Sequence, residues 1–189
     1  MRRHLTALAA TMASLALLTA CTPKDDDMSL FSWDGSEDFS DRQTIEQFRA
    51  TMETAVGDYV EQMEPLSGST SVLERSKLTP CGNARGYQFT TAIVAFDPPT
   101  DRAGAFDRAA ATFEHLGLTF EETSSDTRQW LDLANGGHIT VTLAAHDSVT
   151  IYASSGCRPT DGTTDPANPG IPDWEAALPT DPHYIQSGS

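Results

Sequence analysis

Apolar residues recur along this chain in three regimes: an unbroken run near the start, a three- and four-residue period in two middle stretches, and alternation after Leu118. The unbroken run, Leu5 to Leu18, follows Arg2 and Arg3 and precedes small Thr19 and Ala20. That order of charged, apolar and small residues is the pattern of a secretory leader, so residues 1–20 are expected to be a signal peptide. The run is shorter than the roughly twenty residues a helix needs to cross a bilayer. Thr22-Pro23-Lys24-Asp25-Asp26-Asp27 cannot extend it, so no permanent span is expected.

In the first periodic stretch Ile45, Phe48, Met52, Val56, Tyr59, Val60 and Met63 fall at helical spacing. This predicts a helix opened by Ser40 and Gln43 as a capping box and closed before Pro65. A second helix is expected after Pro98-Pro99, with Thr100 as cap and Asp101 in the positive first turn. Ala103, Phe106, Ala110 and Phe113 share its predicted face, and Gly117 supplies the stop. Between the helices, Gly86 to Phe96 is rich in β-branched and aromatic residues and apolar on both faces, as one central strand would be.

Beyond the second helix the period is two. Leu118 to Glu122 reads as a short strand, and Leu131 with Leu133 begins another that turns at Asn135-Gly136-Gly137. Ile139, Val141 and Leu143 alternate with His138, Thr140 and Thr142; past Ala145-His146-Asp147-Ser148, Val149, Ile151 and Ala153 alternate with Thr150, Tyr152 and Ser154. The predicted fold class is therefore α+β: an antiparallel, meander-rich sheet with two helices packed on one face, in a single domain. The other face is expected to show Trp130, Asp132, Thr140, Thr142 and Tyr152, polar with two large rings. Aromatics exposed among threonines make Trp130, Tyr152, Thr140 and Thr142 the candidate binding face, for an unknown protein or a small ligand. The competing reading is a cover, supplied by Trp174 or Ile171 of the tail or by the stretch Leu66 to Pro80.

Composition divides the rest. Residues 21–40 are acidic and polar and read as a flexible tether, 41–158 as the α+β domain, and 159–189 as a tail. The tail has six prolines, five acids and no Lys or Arg, so it is either disordered or laid extended over the domain. The formal charge is −15, and more negative once Arg2 and Arg3 leave with the leader. Such a surface repels nucleic acid, which is excluded as a partner. Nothing in the pattern calls for an oligomer, so a monomer is expected.

Leu18-Thr19-Ala20-Cys21 resembles the lipobox of bacterial lipoproteins, in which a peptidase cuts before the cysteine and the new N-terminus is acylated. The resemblance implies acyl chains, palmitate among them, on Cys21 and a lipid anchor on the extracytoplasmic side of the cell membrane; two chains hold a protein there stably. An ordinary secretory signal with an incidental cysteine is the alternative. With Cys21 assigned to lipid, Cys81 and Cys157 remain in a compartment that permits disulfides, and a bond between them is expected. A redox-active pair or two separate buried thiols are the other possibilities; there is no Cys-x-x-Cys spacing.

The order of parts is a lipobox, a helix, Cys81 before a strand, an acid-rich helix, a meander ending in Ser155-Gly156-Cys157, and a proline-rich tail with Trp174. It resembles the LppA-type lipoproteins of mycobacteria and related actinobacteria, over most of the chain. That resemblance implies a cell-envelope location and a small α+β domain, and brings no activity or catalytic residue with it.

Catalytic constellations are poor. There is no Gly-x-Ser-x-Gly and no Ser-x-x-Lys, and His115, His138, His146 and His183 have no zinc-ligand spacing, so neither a metal nor a cofactor is expected. Asp25-Asp26-Asp27 and Asp34-Gly35-Ser36-Glu37-Asp38 lack the calcium-loop pattern. Glu121 and Glu122 point to opposite faces of a strand, although Glu122 could meet Asp132 from its neighbour as a carboxylate pair. The expectation is thus a non-enzymatic envelope lipoprotein with a binding or accessory domain. A structural or assembly role, or an unrecognised cell-wall hydrolase, are the alternatives.

Overall fold

Thr44 and Gln47 decide where the chain first becomes helical. Gln47 N–H donates to Thr44 Oγ1 at 3.3 Å and Thr44 N–H donates to Gln47 Oε1 at 2.9 Å, satisfying two end donors reciprocally. The capping box is therefore not the expected Ser40–Gln43 pair; Gln43 is used elsewhere, its N–H on Asn135 Oδ1 and its Oε1 accepting from Arg158. The computed structural model describes residues 35–82, 86–99, 101–144 and 148–181. The leader, Cys21, the tether up to residue 34, Thr100, His146 and His183 lie outside the described residues.

The first helical rod runs through α1 (Ile45–Phe48), a π-turn (Arg49–Glu53), α2 (Thr54–Met63) and a 3-10 turn that takes up Pro65. Each of its predicted apolar positions is buried. The second helix, α3 (Gly104–Phe113), is capped by Asp101, whose Oδ1 accepts the Gly104 N–H at 2.9 Å, and ends at Gly117 in the left-handed conformation. Its inward face is Ala105, Phe106, Ala109 and Phe113; Ala103 and Ala110, expected there, are exposed.

Eight strands form one antiparallel sheet: β1 (Ser67–Glu74), β2 (Lys77–Pro80), β3 (Tyr87–Thr90), β4 (Ile93–Pro99), β5 (Thr119–Ser124), β6 (Thr127–Leu131), β7 (His138–Leu143) and β8 (Val149–Arg158). The predicted meander is β5 to β8, and the main path reads β1-β4-β8-β7-β6-β5. Long β8 pairs with β7 along one edge; along the other its first residues meet β4 and its last meet β3. The strand expected from Gly86 to Phe96 is thus two, broken at Thr91-Ala92. Thr91 keeps the break satisfied: its N–H donates to Ala153 O at 2.9 Å and its Oγ1 accepts the Ala153 N–H at 2.8 Å. Leu66 to Pro80, weighed above as a covering stretch, supplies β1 and β2 instead.

Both helices pack on one face. Tyr59 from α2 meets Phe96 of the sheet edge-on at 6.0 Å and Phe113 of α3 tilted at 5.9 Å, and Phe48 meets Phe89 edge-on at 6.3 Å, joining the helices to each other and to the sheet. Cys81 is bonded to Cys157 across 76 residues, tying the end of β2 to the end of β8. Chain entropy makes so long a closed loop worth roughly 4–5 kcal/mol.

The tail is laid over the domain on the helical side, and not on the open face. Pro159 O accepts the Ile45 N–H, and Thr160 and Asp161 hold the Glu46 carboxylate. Arg49 binds the Pro169 and Gly170 carbonyls, and α4 (Asp173–Ala177) seats Trp174 on Gly57. Glu175, fully buried, accepts from the Ser76 N–H and hydroxyl, while Arg75 binds the Leu178 carbonyl and Thr180. Val72 of β1 then exchanges backbone bonds with Pro179 and Asp181, so the tail closes on the edge of the sheet. At the other end, Ser36 and Glu37 donate to Leu133 and Ala134, so the folded unit begins by Gly35, earlier than expected.

Candidate functional site

Register decides which side chains the open face carries. Opposed residues of an antiparallel ladder share a face, and the rows Gln129–Thr140–Tyr152, Thr127–Thr142–Thr150 and Leu131–His138–Ser154 all point away from the helices. Tyr152, Thr140 and Thr142 therefore share one face, but Thr140 is buried there and only Tyr152 and Thr142 reach the surface. Trp130 does not join them. It lies in the row Phe120–Trp130–Ile139–Ala153, packed on Phe113 at 5.1 Å in the core. The expected phase failed because Leu133 belongs to a turn, 42% exposed, rather than to the strand; β6 ends at Leu131, and its inward residues are the even-numbered ones.

Side chains on this face bond to one another. Gln129 Nε2 donates to Thr140 Oγ1 at 3.1 Å, and Gln88 Nε2 to Ser154 Oγ at 2.8 Å. Tyr152 and His138 meet edge to face at 5.7 Å. Burial pushes the His138 imidazole below its ordinary pKa, so the ring is neutral near pH 7; its Nε2 has no hydrogen-bond partner in the structure. Beside Tyr152 the break between β3 and β4 leaves a groove of about 450 Å³, lined by Glu74, Lys77, Gln88, Thr90, Ile93 and Tyr152 among others. Glu74 and Lys77 are the charged side chains lining it, and they pair with each other. The groove is therefore a concavity of no net charge, lined by hydroxyls and amides and by the Glu74–Lys77 pair, with one aromatic and one aliphatic wall.

A second groove, of about 550 Å³, lies on the helical side between α2, the turn after α3 and the β6–β7 turn, with Asp58, His115 and Asp132 on its walls. Asp132 is already engaged. Its Oδ2 accepts from Arg158 at 2.8 Å, and Arg158 also donates to the Ser155 and Gly136 carbonyls with its guanidinium over Phe48 at 4.9 Å. Burial, and to a lesser extent the charge of Arg42, push this guanidinium's pKa down, and Asp132 opposes that shift. A buried charge so fully bonded holds the β6–β7 turn to the end of β8, a structural role. Glu122 faces Arg128 in the β5–β6 ladder, at the opposite end from Asp132, so the two carboxylates do not share a site.

His115 is exposed, His138 is buried behind Tyr152, and among the described residues no three His, Cys, Asp or Glu side chains gather as a metal site. No described helix is long and apolar enough to cross a membrane. Glu74, Lys77, Gln88, Thr90 and Ile93 were missed as site residues, because their groove exists only through the break at Thr91-Ala92 and the separate pairings of β1 with β4 and β2 with β3. The even spacing of Gln88 and Thr90 was the one available signal.

No family model matches the chain and no curated protein matches it. Among solved structures it is similar to the crystal structure of a DUF4853 family protein from Actinomyces odontolyticus, at 18% identity and a TM-score of 0.49, over 75% of this chain and 84% of that one. At that distance the likeness bears on neither family nor function.

Proposed function

We propose that this chain is an exported lipoprotein of the cell envelope, fastened through acylated Cys21 to the outer side of the membrane, whose domain is a non-enzymatic binding module. Its binding surface is the open sheet face around Tyr152 and Thr142, where Thr140 lies buried beneath Gln129. The observation that carries this reading is the division of labour between the two sheet faces: helices and tail pack on one side, while the groove beside Tyr152 opens on the other. The Cys81–Cys157 bond supports an oxidising compartment, in agreement with the leader pattern. The resemblance to LppA-type lipoproteins belongs to the same proposal. The separation of Glu122 from Asp132, and the engagement of Asp132 by Arg158, favour binding over hydrolysis.

Cys21→Ser tests the address. The wild-type chain is expected in the membrane fraction and the variant in the medium; retention of the variant in the membrane refutes acylation as the anchor.

A further inference from the structure

We propose that the groove beside Tyr152 takes a neutral saccharide, which rests on the binding reading of the same face. The groove combines three features. One aromatic ring, Tyr152, forms part of its lining and offers an apolar surface that a sugar ring's C–H face covers. Around it stand hydroxyl and amide side chains, Thr79, Gln88 and Thr90, with Gln88 anchored on the buried Ser154 hydroxyl at 2.8 Å, spaced as a field of short-range donors and acceptors rather than as a single deep pocket. Ile93 supplies an aliphatic wall suited to the methyl of an N-acetyl group.

Charge narrows the choice of ligand. The chain as a whole carries −15, which repels anions, yet the groove's acid, Glu74, is paired with Lys77. Neither an anionic nor a cationic ligand finds an unmatched charge there. An extended peptide is the competing occupant: β8 beneath this groove already has neighbours on both sides, but β2, whose Lys77 and Thr79 line it, pairs with β3 on one side and has the open edge a peptide strand would need. A saccharide needs no backbone ladder; it is read by side-chain hydroxyls and amides of the kind assembled here. His138 adds a fourth feature. It is 7% exposed and stands edge-on behind the Tyr152 ring at 5.7 Å, so it backs the aromatic platform and does not itself line the groove.

The test is chemical-shift mapping on the isotope-labelled chain, full length after Cys21, with two probes in separate titrations: the β-1,4-linked trimer of N-acetylglucosamine, and a pool of uncharged decapeptides. Saturable shifts at the Gln88, Thr90, Tyr152 and Ser154 amides with the trisaccharide are expected. Tyr152→Ala is expected to weaken that binding at least tenfold while leaving the melting temperature near wild type. Shifts at those amides with peptides and none with the trisaccharide overturn the saccharide proposal and leave the face as a binding surface. Absence of shifts at those amides with both probes overturns the proposal and the binding reading together. The wild-type map decides between these outcomes even if the variant misfolds.

Discussion

Gly57→Ala is expected to destabilise the domain although it improves a helix. Gly57 sits inside α2, where an alanine in place of glycine ordinarily stabilises by about 0.8–1 kcal/mol. A Cβ built there meets the Trp174 ring at 2.6 Å from Cδ1 and 2.8 Å from Nε1, closer than atoms can stand. Ring and helix must part, and α4 with its neighbouring tail contacts shifts with them. A fully buried tryptophan side chain is worth roughly 3–5 kcal/mol on truncation; Trp174 is half-buried, so about 2–3 kcal/mol is at stake. Set against the helix gain, Gly57→Ala costs about 1–2 kcal/mol net. In a Trp174→Ala background the obstacle is gone, and the same substitution should stabilise by about 1 kcal/mol. The sign therefore reverses between backgrounds, with a coupling of about 2–3 kcal/mol. Urea unfolding of the four proteins by far-UV circular dichroism measures the cycle. Equal stabilisation by Gly57→Ala in both backgrounds refutes the seating of Trp174 on α2.

Two further outcomes follow from the same contacts. Burial raises the Glu46 carboxyl, but hydrogen bonds from Thr160 and Asp161 outweigh it and hold the group at about 2 against an ordinary 4.5. Its contribution is present above pH 4.5 and is lost as pH falls towards 2. Discounted for its exposure to solvent that contribution is on the order of 1 kcal/mol, so Glu46→Gln should lower stability by that amount at neutral pH and flatten the acid limb of a stability–pH profile. Replacing Cys81 and Cys157 together by alanine should cost roughly 4 kcal/mol in urea unfolding, because it frees a 76-residue loop in the unfolded chain; an unchanged midpoint refutes the tie.

Much of this architecture is legible along the chain because it repeats. The 3.6-residue period from Ile45 to Met63 and the alternation from His138 to Ser154 each place many side chains at once, and both hold in the structure. Failures cluster where one residue carries the decision. Trp130 turned on whether Leu133 was strand or turn, and a slip of one position exchanges the faces. The edge strand β1, Ser-Gly-Ser-Thr-Ser-Val-Leu-Glu, buries little beyond Thr70 and Val72, so its pattern is that of a loop. Its strand character comes from pairing with β4, which no local pattern expresses. The tail was legible only as disordered or extended, with Trp174 or Ile171 as a candidate cover for the open face; its actual landing place depends on Gly57, Arg49 and Arg75, distant residues whose partners only the fold reveals.

That first strand waits for the last described residues. Val72 lies far ahead of Pro179 and Asp181 in the chain, so until the tail docks, the amide and carbonyl that they occupy stand bare on a lateral rim of the sheet. Closure is thus a terminal event, and any product cut short before Pro179 keeps a rim able to recruit a foreign strand. Premature termination or C-terminal clipping would add this rim to the open edges of β2 and β5 and raise the tendency to self-associate.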